Sequence, residues 1–138
     1  MRGPPTDLEL LEHIYSRYYS TFCSFDRDQP TRAAKIFVPI NIEAIAKNFD
    51  VDGDIVFGRL YYHLNKKYGY TEEDGTKVSL FVLSAGSDRH CIQFALLSSL
   101  VATLRDERNR YLVAIWLSTA ALLISVLSLV ISVVSRIK

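Results

Sequence analysis

A group of basic and aromatic residues in the middle of the chain has the side chains best suited to recognise another molecule. Arginine and lysine can pair with phosphates or with guanine edges in a DNA groove. Arginine and tyrosine are also enriched among the residues that dominate protein–protein binding. Their spacing places these side chains on the polar face of one predicted helix, and we call them the residue 59–67 cluster: Arg59, Tyr62, His63, Lys66 and Lys67.

The charges around this cluster favour a protein partner over nucleic acid. Asp50, Asp52 and Asp54 stand at the start of the same helix, where the base-contacting residues of a recognition helix normally lie. Carboxylates there would repel phosphate, and we interpret them as helix caps. Arg136 and Lys138 follow the apolar C-terminal run, so the chain before it has 14 basic residues against all 15 acidic ones. Nucleic-acid-binding domains usually carry a clear basic excess.

The sequence offers no set of residues that fits catalysis or metal binding. Glu9 and His13 share a face of the first predicted helix, but a metal site needs further ligands at suitable spacing. In the segment 50–54 the glycine precedes the third aspartate, and Tyr61 stands where a calcium-binding loop needs glutamate. Without a phosphate loop, a nucleophile elbow or paired carboxylates, we expect neither an enzyme nor a cofactor nor a metal.

Helical periodicity and capping residues predict the elements that position the cluster. Thr6 and Glu9 form a capping box that begins a helix over residues 7–22. Asn41 caps a second helix over 42–49, and the helix that carries the cluster runs from Asp54 to Lys67. The predicted strands are an edge strand over 35–38, ended by Pro39, and a hairpin of 77–83 and 90–94 with its turn at 84–89.

This order of elements, helix, short strand, helix, turn, helix and two strands, resembles the winged helix-turn-helix superfamily. The resemblance covers residues 7–94 and is carried by the element order and by the stretch IEAIAKNFDVDGDIVFGRLYYHLNKKYGY from Ile42 to Tyr70. It implies an α+β fold class, with a winged-helix-like soluble domain after a flexible N-terminus of residues 1–6. It also implies that the third helix would be the recognition helix of a DNA-binding member.

Residues 111–134, YLVAIWLSTAALLISVLSLVISVV, form an apolar run without a charged residue. At about 1.5 Å per residue this run makes a helix roughly 36 Å long, against a hydrocarbon core of about 30 Å. We therefore predict a C-terminal transmembrane helix over 111–134, preceded by a juxtamembrane helix over 95–110 and followed by a short tail, 135–138. Tyr111 and Trp116 lie near its first boundary, where amphipathic rings are favoured.

The beginning of the chain predicts the side of the membrane on which the soluble domain lies. The segment from Met1 to Asp7 leads into an amphipathic helix and does not read as a secretory signal. We therefore expect a tail-anchored, single-pass protein with its soluble domain on the cytoplasmic side. Cys23 and Cys91 are expected to be reduced thiols there.

Small residues recur along the apolar run at alternating spacings of four and three, a period of about 3.5 residues. Such a seam lets two helix backbones approach closely, so we predict homo-oligomers that associate through it. Serine can instead bond its own helix backbone, and a serine-lined pore is a further alternative. The small-residue seam consists of Ala114, Ser118, Ala121, Ser125, Ser128 and Ser132.

Together these patterns predict a membrane-anchored, non-enzymatic interaction or regulatory module. It would self-associate through its transmembrane helix and bind a protein partner with its winged-helix domain. Two alternatives stay open, a membrane-tethered DNA-binding transcriptional regulator and a small pore-forming or membrane-disrupting effector.

Overall fold

The computed structural model describes residues 3–137, which divide into two compact units, Met1–Ala102 and Thr103–Lys138. Met1, Arg2 and Lys138 lie outside the described residues, and with them part of the predicted flexible N-terminus and of the predicted tail. The first unit combines helices with small antiparallel sheets, and the second is the continuation of one long helix. The expected mixture of helix and sheet with an apolar C-terminal helix is therefore confirmed.

The first two helices begin where their capping residues predict. Helix α1 spans Asp7–Cys23, and Thr6 and Glu9 make both hydrogen bonds of the capping box. Helix α2 spans Ile42–Phe49, and the Asn41 side chain accepts a hydrogen bond from the backbone N–H of Ala44. Local hydrogen bonding of this kind satisfies backbone donors that a helix leaves free, so it fixes the start of each helix.

The aspartates after α2 act as caps. Asp50 ends α2 in the left-handed conformation, with φ of 56°. Asp52 caps the next helix, because its Oδ1 accepts a hydrogen bond from the backbone N–H of Asp54. The interpretation of these carboxylates as caps of the helix start is thus confirmed for Asp52. Asp50 instead ends α2 through its backbone N–H, which donates to the carbonyls of Ala46 and Lys47.

The third helical segment, α3, covers residues 53–68 and is not one regular α-helix as predicted. It consists of an α-helical part, Gly53–Gly58, a π-helical part, Arg59–Leu64, and a last α-helical turn, Asn65–Tyr68. In the π-helical part the backbone N–H of Asn65 reaches the carbonyl of Leu60, five residues back. Leu60 and Leu64 are both buried, so the wider turn keeps the apolar face of the segment on the core.

Two antiparallel sheets accompany the helices. The larger sheet consists of β1 (Phe37–Pro39), β5 (Asp88–Gln93) and β4 (Phe81–Ala85), in that order across the sheet. The smaller sheet is a hairpin of β2 (Tyr70–Thr71) and β3 (Lys77–Val78). Strand β1 is an edge strand, as predicted, and it includes Pro39, which was expected to end it. The β1–β5 register aligns Val38 with Ile92, and both side chains are buried.

The predicted hairpin of residues 77–94 is divided differently. Its first strand is split into β3, which pairs with β2, and β4, which pairs with β5. The intervening Leu80 is fully buried, and its carbonyl accepts a hydrogen bond from the N–H of Gln93. The predicted turn over 84–89 shrinks to two residues, since Ala85 already pairs with Asp88. Gly86 supplies the positive φ of 62° that this tight turn needs.

Helix α4, Phe94–Ile137, is continuous, so the predicted juxtamembrane and apolar segments belong to one helix, and its first residue was predicted as strand. Phe94 stacks on Tyr15 and Phe22 of α1, with ring centroids 5.4 Å and 4.7 Å apart. The core of the first unit is apolar and includes Leu10, Ile14, Val38, Ile45, Leu60, Leu64, Phe81, Ile92, Phe94 and Leu97.

Candidate functional site

Asp7 at the start of α1 gathers three members of the residue 59–67 cluster. Its Oδ1 lies 2.7 Å from Nη2 of Arg59, and its Oδ2 lies 2.8 Å from Nζ of Lys67. Nε2 of His63 stands 4.0 Å from the same Oδ2. The Asp7 side chain is only 15% exposed, while those of Arg59 and Lys67 are 24% and 49% exposed. This part of the cluster therefore joins α1 to α3, and its basic side chains share one carboxylate.

The contacts around Asp7 stabilise both the ionised carboxylate of Asp7 and the protonated amine of Lys67. Burial alone would raise the pKa of Asp7, but hydrogen bonds from Lys67 and Arg59 outweigh it and hold that pKa below its ordinary value. The hydrogen bond to Asp7 in turn raises the pKa of Lys67. One carboxylate thus offsets part of the positive charge of the cluster, and this weakens the attraction for phosphate on which nucleic-acid binding depends.

Tyr62 and Lys66, the other two members of the cluster, line a groove on the first unit between α3 and the two hairpins. The groove has a volume of about 650 Å³. Tyr62 is 70% exposed, Tyr70 50% and Leu83 46%, so its rim presents aromatic and aliphatic surface. We call it the Tyr62 groove, and its lining residues are Tyr61, Tyr62, Asn65, Lys66, Gly69, Tyr70, Thr71, Lys77, Ser79, Phe81, Val82, Leu83 and Ser84.

Asn65 fixes one wall of the groove. Its Nδ2 donates to the carbonyl of Phe81 at 2.9 Å, and its Oδ1 accepts from the N–H of Phe81 at 3.1 Å. The side-chain amide thereby pairs with the backbone of β4 as a neighbouring strand would. Gly69 leaves room for the chain to turn, because a Cβ there would lie 2.5 Å from the backbone carbonyl oxygen of Asn65. The groove is therefore held by backbone and amide contacts.

The aromatic rings of Tyr61, Tyr62 and Phe81 line the same groove, and Phe57, which is not a lining residue, contacts two of them. Phe57 stacks on Tyr61 at 5.5 Å, and Tyr61 meets Tyr62 edge to face at 5.0 Å. Phe81 contacts Phe57 edge to face at 5.9 Å. Such rings lose little conformational freedom when another chain packs on them, which suits a binding surface.

The β2–β3 hairpin supplies groove residues that the sequence reasoning did not identify. Tyr70 and Lys77 line the groove from this hairpin, and no element was predicted from the sequence for residues 68–76. The pair Asp74–Gly75, typical of tight hairpin turns, was the available signal. Gly75 has φ of 86°, and its N–H donates to the carbonyl of Glu72.

Three consecutive acidic residues occupy the end of this hairpin, and we call Glu72, Glu73 and Asp74 the acidic tip. All three are exposed. Asp74 Oδ1 accepts a hydrogen bond from the backbone N–H of Thr76 at 2.8 Å, and this bond lowers the pKa of Asp74. The acidic tip therefore presents three exposed carboxylates, and Thr71 and Lys77, which flank it, line the lysine-bearing groove.

The remaining titratable residues lie apart from this groove. Both described cysteines carry free thiols, Cys23 exposed and Cys91 buried, and burial raises the pKa of Cys91. His13 packs edge to face on Phe49 at 5.2 Å, and Glu9 completes the capping box, so the pair that shares a helix face has structural contacts. Within residues 3–137, no group of three or more His, Cys, Asp or Glu side chains is placed to hold a metal.

A second concavity of about 720 Å³ lies on the first unit between α2, α3 and β5. Its polar side chains include Glu43, Asp54 and His90. Tyr18 at its edge accepts a hydrogen bond from the N–H of Asn41 at 2.8 Å. It contains none of the residues predicted to bind a partner.

Comparison with protein-family models, with curated proteins and with solved structures finds no match for this chain.

Among the described residues, Phe94–Ile137 is the one helix that is long and apolar enough to cross a membrane. Its most apolar window has a mean hydropathy of 2.5, and none of that window is buried in the structure. The chain is thus consistent with a single-pass membrane protein. All six positions of the small-residue seam are exposed. Ser118 Oγ donates to the carbonyl of Ala114 at 2.8 Å, so this hydroxyl has a partner within its own helix.

Proposed function

We propose that the chain is a membrane-anchored, non-enzymatic interaction module, whose apolar helix lies in the bilayer and whose first unit binds a protein partner. The observation that carries the proposal is the unburied apolar surface of residues 111–134. Each Leu, Ile or Val side chain left in water forgoes about 1.5–3 kcal/mol of burial free energy. A charge-free run of such residues gains that free energy in lipid, which anchors the attached unit at a membrane surface.

The Tyr62 groove supports a protein as the partner of the first unit. It combines exposed tyrosines with an aromatic inner side, and aromatic residues are enriched where proteins bind proteins. The pairing of Asp7 with Arg59 and Lys67 gives less support to the DNA-binding alternative, because one carboxylate offsets part of the positive charge that would face phosphate. The proposed domain of residues 7–94 is a winged helix, and the sheet order β1-β5-β4 agrees with that topology.

The small-residue seam supports self-association of the anchor. Ala and Ser at a period of about 3.5 residues allow two helices to pack along one line in lipid. The hydroxyl of Ser118 is satisfied within its helix, so the seam offers close packing without requiring a water-filled pore. We further propose that the first unit lies on the cytoplasmic side, where Cys23 and Cys91 would stay reduced.

The membrane part of the proposal is tested on the full chain. After expression in cells, alkaline carbonate extraction should leave the wild-type protein in the membrane pellet. In a Leu123→Arg/Leu127→Arg variant each charge costs about 2.5–3.5 kcal/mol at the helix centre, so this variant should move to the soluble fraction. Protease added to the cytoplasmic side should digest the first unit. Recovery of wild-type chain as a detergent-free monomer in the soluble fraction would refute the proposal.

Self-association is tested by energy transfer between labelled copies in liposomes. Ser118→Leu/Ser125→Leu/Ser132→Leu should reduce transfer, because leucine at the seam separates the two backbones. Thr119→Leu/Ala120→Leu enlarges small residues off the seam and serves as the matched control. Unchanged transfer in the triple variant would contradict the seam. Leakage of a liposome dye that the triple variant abolishes would support the pore alternative instead.

The groove is tested by cross-linking and purification of the full chain in mild detergent. A protein that binds the Tyr62 groove should be lost from the Tyr62→Asp variant, since a charge would be placed on the apolar rim. Ile55 is also exposed on α3 but does not line the groove, so Ile55→Asp should retain the same protein. Equal recovery with both variants would exclude the groove as the binding surface.

A further inference from the structure

We infer that the Tyr62 groove receives the acidic tip of a second copy of this chain. The inference rests on the proposed function, since it names the partner of the same groove. Lys66 and Lys77 line the groove, and none of its described lining residues is acidic. The groove and the tip therefore carry opposite charges, and they lie on the same unit.

The acidic tip does not satisfy the groove lysines within its own copy. The groove lining includes Thr71 and Lys77, which flank the tip, but none of the tip residues themselves. Within residues 3–137, no ion pair of 4.0 Å or less joins Glu72 or Glu73 to Lys66 or Lys77. The two complementary surfaces are thus adjacent, exposed and unpaired in one copy.

Adjacent complementary surfaces favour a symmetric pair of copies over a foreign acidic protein. A two-fold axis close to Lys77 would bring each tip to the opposite groove, so that one arrangement makes both contacts at once. A foreign acidic segment would fill the groove but leave the tip unused. The exposed rings of Tyr62 and Tyr70 would pack against the backbone and side-chain stems of the incoming tip.

The membrane anchor explains how so small a contact could be populated. A hairpin tip in a groove of about 650 Å³ is much smaller than an interface that holds two soluble proteins together. Two copies whose anchors are paired in one bilayer hold their first units at high effective concentration, so that a weak contact between the units becomes effectively intramolecular. The contact would therefore form in membranes at protein densities where isolated domains stay apart.

A charge exchange in the full chain tests this inference in liposomes. The groove variant is Lys66→Glu/Lys77→Glu, and the tip variant is Glu72→Lys/Glu73→Lys. Each variant alone should associate less than wild type, on the order of tenfold for four lost or repulsive surface pairs. A mixture of the two variants restores opposite charges at both contacts, so energy transfer between them should return to the wild-type level. Recovery in the mixture also shows that both variants are folded.

Zero-length cross-linking of wild-type copies gives an independent measurement. In a mixture of ¹⁴N-labelled and ¹⁵N-labelled chains, carbodiimide should join Lys66 or Lys77 of one copy to Glu72 or Glu73 of another. The absence of such mixed-isotope peptides, together with no preference for the mixed charge variants, would overturn the inference. If Tyr62→Asp then still loses a foreign protein while Ile55→Asp retains it, the proposed function stands with a different partner.

Discussion

Replacement of Asp7 by alanine should destabilise the first unit more than a surface carboxylate normally would. Asp7 is the first residue of α1, and it receives Arg59 at 2.7 Å and Lys67 at 2.8 Å from α3. Its removal deletes a carboxylate near the positive end of α1 and leaves the half-buried Arg59 without its anion. Among the described residues, Nε of Arg59 is already buried without a hydrogen-bond partner, so removal of Asp7 takes a further partner from this guanidinium.

The expected magnitude is the sum of three unequal parts. The charged hydrogen bond with the 24% exposed Arg59 contributes about 1.5–3 kcal/mol. The bond with Lys67, which is 49% exposed, contributes about 0–1 kcal/mol because water screens it. The favourable position at the helix N-terminus adds about 0.3–1 kcal/mol. Asp7→Ala should therefore cost roughly 2–5 kcal/mol, or roughly 10–25 °C in Tm for a unit of this size.

Thermal unfolding of the full chain in detergent, followed by circular dichroism, measures this cost. The helical signal of the apolar segment is expected to persist in detergent, so the transition reports the first unit. Double-mutant cycles with Arg59→Ala and Lys67→Ala separate the two contacts. The Asp7–Arg59 coupling should exceed the Asp7–Lys67 coupling severalfold. An Asp7–Arg59 coupling below about 0.3 kcal/mol, or an Asp7–Lys67 coupling larger than the Asp7–Arg59 coupling, would refute the expectation that the less exposed pair is the stronger one.

Four further predictions concern residues of the first unit. The pKa of Asp7 is lower in the folded protein than its ordinary value of 3.8. The stability that the ionised Asp7 contributes is therefore present above pH 3.8 and is lost as the pH falls through the folded-state pKa. When unfolding free energy is measured against acid pH, Asp7→Ala should lose less stability than wild type. Burial, followed by the charge of a neighbouring arginine, lowers the pKa of His13. The unfolding free energy of wild type should therefore fall as the pH drops below about 6.5. Denaturant titrations at about pH 7 and about pH 5.5 should show that His13→Phe removes this dependence of stability on pH. Asn65→Ala leaves both backbone groups of Phe81 without their partner and should cost about 2–4 kcal/mol, measured by urea unfolding; a cost under about 0.5 kcal/mol would show that water replaces the amide. Gly69→Ala places a methyl group against rigid backbone and should cost at least about 1–3 kcal/mol, whereas an unchanged Tm would show that the turn can relax.

Elements that depend on short-range signals were predictable from the sequence. The two helix starts are marked by hydrogen bonds between residues only three positions apart, from the Thr6–Glu9 capping box and from the Asn41 cap. The apolar helix is equally local, since length and the absence of charge define it. The edge position of β1 also followed from Pro39, which lacks the N–H that a central strand needs.

Features that depend on distant contacts were not predictable in the same way. The pairing of Asp7 with Arg59 and Lys67 spans more than fifty residues of sequence, and no local pattern indicates it. The predicted cluster was therefore split, with Tyr62 and Lys66 in the groove and Arg59, His63 and Lys67 near Asp7. The β2–β3 hairpin was missed because each of its strands has only two residues, too few for an alternating pattern to be visible.

The wide turn at Arg59–Leu64 makes the length of α3 adjustable at one point. A π-helical turn holds one residue more than an α-helical turn, so deletion of Tyr62 could be absorbed by conversion to α-helix without rotating the segments on either side. Arg59 and Lys67 would then be seven residues apart, within about 20° of two full turns, and both would still face Asp7. The same deletion elsewhere in α3 would rotate everything beyond it by about 100°. The chain could thus gain or lose its most exposed groove tyrosine through a one-residue insertion or deletion while its hydrophobic core stayed in register.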